Sequence, residues 1–297
     1  MDDRLYTLEV ENLHNLQEKH KQQALTALES GKVIFFPLYS FMPGENEQFI
    51  LSESILDRKH KNISYDYKQQ RLGGLAITNQ SSALLPVMQA FMHRFANYAR
   101  QLVDELLPQY RQDLRWGRTS YRPAEIKGRK SSKRKDDTRL HVDSFPSTPV
   151  NGLRILRVFC NINSYGEPRV WHLGEAFHQV LARFSPKIPS FNPAHAKLLK
   201  LIKATKTLRS PYDHYMLHLH DYMKLDDIYQ QTVHKHRVDF PPHSTWLVFT
   251  DQVSHAALSG QYLLEQTFYL PVKAMANPAL SPLKQWEKEK HFISSPA

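Results

Sequence analysis

The chain has 297 residues, of which 41% are hydrophobic, 23% charged and 11% aromatic; this composition can bury a core and excludes a disordered tail protein, a collagen-like fibre and a coiled coil. A single cysteine, Cys160, rules out an internal disulfide and a zinc finger. Thirty-nine Lys and Arg against 29 Asp and Glu give a net charge of +10, which suits an anionic partner such as nucleic acid, an acidic lipid headgroup or a charged sugar.

One elaborated domain over 1–297 is expected from the length. The N-terminus, MDDRLYTLEV, shows no basic stretch ahead of an apolar run, so it does not read as a signal peptide and a cytoplasmic protein is expected. The uncharged stretch from Gly73 to Met92 carries Thr78, Asn79, Gln80, Ser81 and Ser82 in its middle, which argues against a membrane span. Residues 1–114 read as a mixed α/β part that packs on a core. Within it a helix is expected over Leu16 to Glu29, a strand over Val33 to Phe36, and a long helix over Ser82 to Leu106, where apolar residues recur at three- and four-residue steps.

Between the long helix and the β segments lies a basic run, Lys127, Arg129, Lys130, Lys133, Arg134 and Lys135. It reads either as a solvated loop or as a contact for an anion; no aromatics interleave it and no helix-turn-helix or zinc spacing accompanies it, so nucleic acid is not expected. Over residues 115–275 short Val-, Ile-, Leu-, Phe- and Thr-rich segments at 138–142, 153–162, 170–173, 233–240, 245–249 and 263–272 predict an antiparallel β core, sandwich or open barrel. A helical insertion at about 194–227 interrupts it, and the tail at 278–297 reads as mobile. His214, His218 and His220 in the insertion read as a polar helix face.

The chemistry concentrates at Leu140-His141-Val142-Asp143-Ser144. At a strand end, residues two apart share a face, so His141 and Asp143 can converge, and a distal His255 on a neighbouring strand would complete two imidazoles and one carboxylate. That ligand set leaves positions open and suits ferrous iron with a chelating cosubstrate and dioxygen; the other reading is a set of satisfied polar residues. In the next segment Ile155, Arg157, Phe159 and Asn161 share one parity. A buried guanidinium there needs an anion: either an internal carboxylate such as Glu265 or the far carboxylate of a dicarboxylate cosubstrate, with Arg154 on the opposite parity as the substitute.

These residues resemble a known family. The segments LHVDSFP at 140–146, RILRVFCNIN at 154–163, PRVW at 168–171, FTD at 249–251 and SHAALSGQ at 254–261 are similar to the bacterial Kdo hydroxylases, over roughly residues 115–275. The resemblance implies an iron(II) and 2-oxoglutarate-dependent dioxygenase that hydroxylates carbon 3 of the 3-deoxy-octulosonic acid (Kdo) sugar of Kdo-lipid A, in the lipopolysaccharide inner core. It implies a mainly β, α+β fold, a double-stranded β-helix (jelly roll, cupin-like) with flanking helices, and His141, Asp143 and His255 as iron ligands. Many 2-oxoglutarate enzymes place an arginine some ten residues past the distal histidine; here Leu264-Glu265-Gln266-Thr267-Phe268 has none. The task is therefore expected to pass to Arg157, with Asn161 and Gln266 as neutral donors. Tyr121, Arg122, Arg139, Lys127 and Arg129 are expected to meet the anionic glycolipid, with peripheral contact at the cytoplasmic face of the inner membrane. The competing readings are the same iron chemistry on another substrate and a cupin-like sugar-binding module without catalysis.

Overall fold

The computed structural model describes residues 4–57, 59–76, 81–129 and 131–294; Arg58, Thr78 to Gln80 and Lys130 of the basic run lie outside them. The strands are β1 (Leu5–Thr7), β2 (Val33–Phe36), β3 (Ile63–Asp66), β4 (Arg71–Gly73), β5 (Arg115–Arg122), β6 (Arg154–Asn161), β7 (Arg169–Leu173), β8 (His236–Phe240), β9 (Ser244–Phe249), β10 (His255–Ser259) and β11 (Leu263–Leu270). Eight of them form a large sheet in the order β1-β2-β9-β6-β11-β5-β3-β4, and β10-β7-β8 form a small one. Apart from the parallel β1–β2 pair, every pairing is antiparallel.

Strand parity decides what each face of the large sheet meets. Leu156, Val158 and Cys160 of β6 point into a core shared with helices α1 (Glu18–Glu29) and α2 (Ser81–Leu106), whose Phe91, Phe95 and Leu102 are fully buried there. The other parity faces the small sheet across an aromatic layer: Phe159 meets Trp171 with ring centroids 5.0 Å apart, and Phe240 stacks on Trp246 at 4.0 Å. The N-terminal part also contributes strands: β1–β2 and β3–β4 complete the two edges of the large sheet.

The helices beyond β7 build a third cluster beside the sheets. They are α3 (Phe177–Phe184), α4 (Pro193–Leu201), α5 (Pro211–Leu225), α6 (Asp227–Thr232) and α7 (Pro282–Ser294). Phe177, Leu181, Tyr212, Met216, Leu219 and Tyr229 are buried together, with Trp286 of α7 packed against them. The expected mobile tail is therefore largely helical: Trp286 lies 5.3 Å from the Tyr215 ring. The strand expected over 138–142 is absent. Asp136 accepts from the Thr138 N–H in a tight turn, and within that segment only His141 pairs, in a single bridge.

Candidate metal centre

His141 and His255 face each other across that bridge, where the His141 N–H donates to the His255 carbonyl at 3.0 Å and the His255 N–H donates back at 2.9 Å. Directly opposed residues present their side chains on one side of the pair, and the two imidazole centroids lie 4.6 Å apart. Two residues on, the Asp143 N–H donates to the Thr250 carbonyl at 2.8 Å, which returns its carboxylate to the same side. One ligand atom from each of the three residues falls within 4.8 Å of the others.

The tautomers follow from the backbone. His141 Nδ1 lies 2.8 Å from the Arg139 carbonyl and His255 Nδ1 lies 2.8 Å from the Val253 carbonyl. A carbonyl only accepts, so each Nδ1 must donate and each Nε2 keeps its lone pair for a metal. Burial, with Lys224 adding repulsion at His141, pushes both imidazoles below their ordinary range and keeps them neutral. Burial works to raise the Asp143 carboxyl, but the Arg157 guanidinium, Nη2 3.2 Å away, helps hold it below the usual carboxylate range. Two neutral imidazoles and an ionised carboxylate are the state a divalent metal requires.

The triad opens into a cavity of about 420 Å³ lined by seven Lys and Arg and only three Asp and Glu, with Phe145, Phe159, Trp171, Ala257 and Leu263 as apolar wall. Arg157 bridges Asp143 and Glu265, each at 3.2 Å, and Arg122 meets Glu265 at 3.0 Å. Among the described residues Arg169 has no acid within ion-pair distance: its Nη1 donates to the Gly260 carbonyl, and burial together with Arg122 pulls its guanidinium down to about 9. Four buried N–H donors in this wall, Nε of Arg122, Arg157 and Arg169 and Nε1 of Trp171, have no acceptor among the described residues. Buried donors are rarely left so; together they describe a place for an acidic ligand beside the triad.

Several expected residues stand elsewhere, mostly for reasons of parity. Tyr121 points to the helical side, where its hydroxyl donates to the Ile50 carbonyl, while its neighbour Arg122 points into the cavity. Gln266 faces the helices too and is held by Thr119 Oγ1 and the Thr267 carbonyl. Asn161 has the cavity's parity but sits at the strand end, donating to the Glu167 and Phe240 carbonyls. Arg139 clamps the insertion through the Lys224 carbonyl and Asp227. Lys127 and Arg129 lie outside the cavity wall, to which the basic run contributes Arg134 and Lys135 instead. The polar-face reading of His220 is also corrected, since it lines the cavity with its ring 5.4 Å from His141. Lys61, Asp137, Lys224, Arg169 and Trp171 were not expected in the site.

Arg154 is structural. It is fully buried behind the sheet, donates to Asp251 at 2.7 Å and to Gln252 at 2.7 Å, and stacks on Phe249. Arg154→Met strands the buried Asp251 charge and is expected to cost about 3–5 kcal/mol of stability, with the KM for the cosubstrate unchanged. Thermal melting and steady-state kinetics on one preparation check both halves.

A buried triad of two histidines and a carboxylate, set between two mainly antiparallel sheets and open to a cationic cavity, defines a mononuclear non-haem iron enzyme of the two-histidine, one-carboxylate type. The comparisons are consistent with that class. Residues 11–291 match the family model described as 3-deoxy-D-manno-oct-2-ulosonic acid (Kdo) hydroxylase, and the chain belongs to that family. Solved structures of the Kdo hydroxylase KdoO, a non-heme Fe(II) alphaketoglutarate-dependent dioxygenase, are similar throughout. The cobalt(II) complex superposes with a TM-score of 0.92 and the complexes with alphaketoglutarate and Fe(III) and with succinate and Fe(III) with 0.91, each at 42% identity over 99% of both chains. No curated protein matches the chain.

Proposed function

We propose that the chain is an iron(II)- and 2-oxoglutarate-dependent dioxygenase that hydroxylates carbon 3 of Kdo in Kdo-lipid A, on a double-stranded β-helix core, in the cytoplasm with peripheral contact at the inner membrane. The observation that carries this reading is the set of unmatched buried donors around the triad: Arg122, Arg157, Arg169 and Trp171 offer N–H groups to an acid where a metal would also reach it. A sugar-binding module without catalysis does not call for a neutral histidine pair with both Nε2 lone pairs free.

His141 Nε2, His255 Nε2 and a carboxylate oxygen of Asp143 would hold the iron. When bound, iron(II) and 2-oxoglutarate together activate dioxygen, so that one oxygen atom passes to the substrate carbon while the oxo acid leaves as succinate and carbon dioxide. The chain supplies placement. Arg157 fixes the Asp143 carboxylate; Arg169, with the unmatched Nε of Arg122 beside it, would take the far carboxylate of the cosubstrate through charge-assisted bonds. Phe159, Trp171 and Leu263 close the inner wall against water. Around the cavity Lys61, Arg134, Lys135 and the buried Lys224 give the field that suits a sugar acid lying beside lipid phosphates.

Mass analysis of Kdo-lipid A incubated with the protein, iron(II), 2-oxoglutarate and air tests this directly. One added oxygen, dependent on all three additions, is expected. Succinate release stimulated by a different carbon compound, with Kdo-lipid A unaltered, would keep the iron chemistry and reject the substrate.

A further inference from the structure

We propose that α4 and the chain following it to Arg209 form the surface by which this protein docks on an anionic lipid bilayer. The helix is turned inside out for a globular protein. Ala196 is buried beneath it, whereas Leu198, Leu201 and Ile202 are 52%, 78% and 61% exposed. Residues three and four apart share a helix face, so these three form one continuous apolar stripe toward solvent. A surface helix ordinarily buries that stripe, and while scattered exposed leucines mean little, a contiguous group marks a contact.

Charge identifies the partner. Lys197, Lys200, Lys203, Lys206 and Arg209 flank the stripe, and no Asp or Glu stands between Glu175 and Asp213. All four lysines are exposed. A leucine stripe edged by lysines, whose long stems let apolar groups enter while the ammonium stays among phosphates, is the pattern of a helix lying in a bilayer interface. No helix among the described residues is long and apolar enough to cross a membrane. Contact through this surface therefore lies in the plane of the leaflet.

The surface is tied to the cavity. The Lys206 N–H donates to the Ser147 carbonyl at 2.9 Å, and Arg209 Nη2 donates to the Pro146 carbonyl at 2.8 Å. Pro146 lines the metal cavity, and α5, which starts directly after this segment, supplies His220 and Lys224 to the cavity wall. A bilayer seated on α4 thus meets the rim of the cavity. The basic run is less available for that task, because Lys133 is paired with Asp227 and Arg134 with Asp221. The orientation rests on the reading of a lipid-anchored substrate; the docking itself does not.

Co-sedimentation of the full chain with vesicles, without iron or 2-oxoglutarate, tests the docking apart from turnover. The wild type is expected to pellet with vesicles of phosphatidylglycerol and phosphatidylethanolamine and to remain in solution with pure phosphatidylcholine. L198S/L201S/I202S, all at exposed positions and checked for folding by its melting curve, lowers partitioning on the order of a hundredfold. K197Q/K200Q/K203Q/K206Q weakens binding and flattens its salt dependence, while K127Q/R129Q leaves it unchanged. Unchanged binding by the serine variant, no pelleting of the wild type, loss confined to K127Q/R129Q, or a wild-type dimer that the serines split without any vesicle binding would each overturn the proposal. A hydroxylase that ignores vesicles fails this test alone, and a vesicle binder without hydroxylation fails only the functional reading.

Discussion

His255→Gln yields a folded chain that retains no iron and turns over Kdo-lipid A at least about a thousandfold more slowly, since a bound metal contributes several kcal/mol of transition-state stabilisation. The fold survives because the bridge to His141 is made by backbone groups. The imidazole itself adds an Nδ1 hydrogen bond to Val253 and a stack on Trp171, ring centroids 5.1 Å apart, neither of which holds the backbone pair together. His220→Gln is the matched control: its ring also faces the cavity beside His141, but it is not one of the three clustered ligands, so that variant keeps its iron. Metal content after anaerobic loading, a melting curve and turnover decide the matter. Stoichiometric iron and wild-type turnover in His255→Gln would remove the triad from the chemistry.

The centre was legible where chemistry and local geometry coincide. His141 and Asp143 stand two apart, and a period-two argument brings them to one side even though the expected strand is only a bridge. The same period separated Arg157 and Phe159 from Leu156 and Val158, and it places them on opposite faces of the large sheet. Nearness in sequence misled where parity was ignored. Tyr121 and Arg122 are consecutive, so one of them had to face the helices, and Gln266 follows the cavity-lining Glu265 for the same reason.

Other elements lacked a periodic signal. β1 and β4 have three residues each, too few for alternation to show, and Lys61, Asp137 and Lys224 come together only through tertiary contacts. Asp137 lies 3.9 Å from Arg122, 3.2 Å from Lys61 and 3.7 Å from Lys224. Arg169 was within reach of sequence reasoning. It opens a short run of Val170, Trp171 and Leu173, a strand of buried residues, and a buried guanidinium there called for an anion as Arg157 did.

Arg169→Met and Arg157→Met are expected to move stability in opposite directions while both impair the enzyme. Arg157 sits between two buried carboxylates; its removal leaves Asp143 and Glu265 without their shared cation and costs about 3–5 kcal/mol. Among the described residues Arg169 has a carbonyl but no acid in direct contact, and its lowered pKa records the penalty of burial and of the nearby Arg122, which Glu125, Asp137 and Glu265 offset only in part. A methionine of similar length removes that penalty, so the ligand-free protein gains about 1–4 kcal/mol. The gain is functional loss: without charge-assisted bonds worth about 1.5–3 kcal/mol, the KM for 2-oxoglutarate rises roughly ten- to a hundredfold. Wild-type protein is correspondingly expected to show a larger rise in melting temperature on adding 2-oxoglutarate than Arg169→Met does. A destabilised Arg169→Met with an unchanged KM would mean that this guanidinium holds the fold and not the cosubstrate.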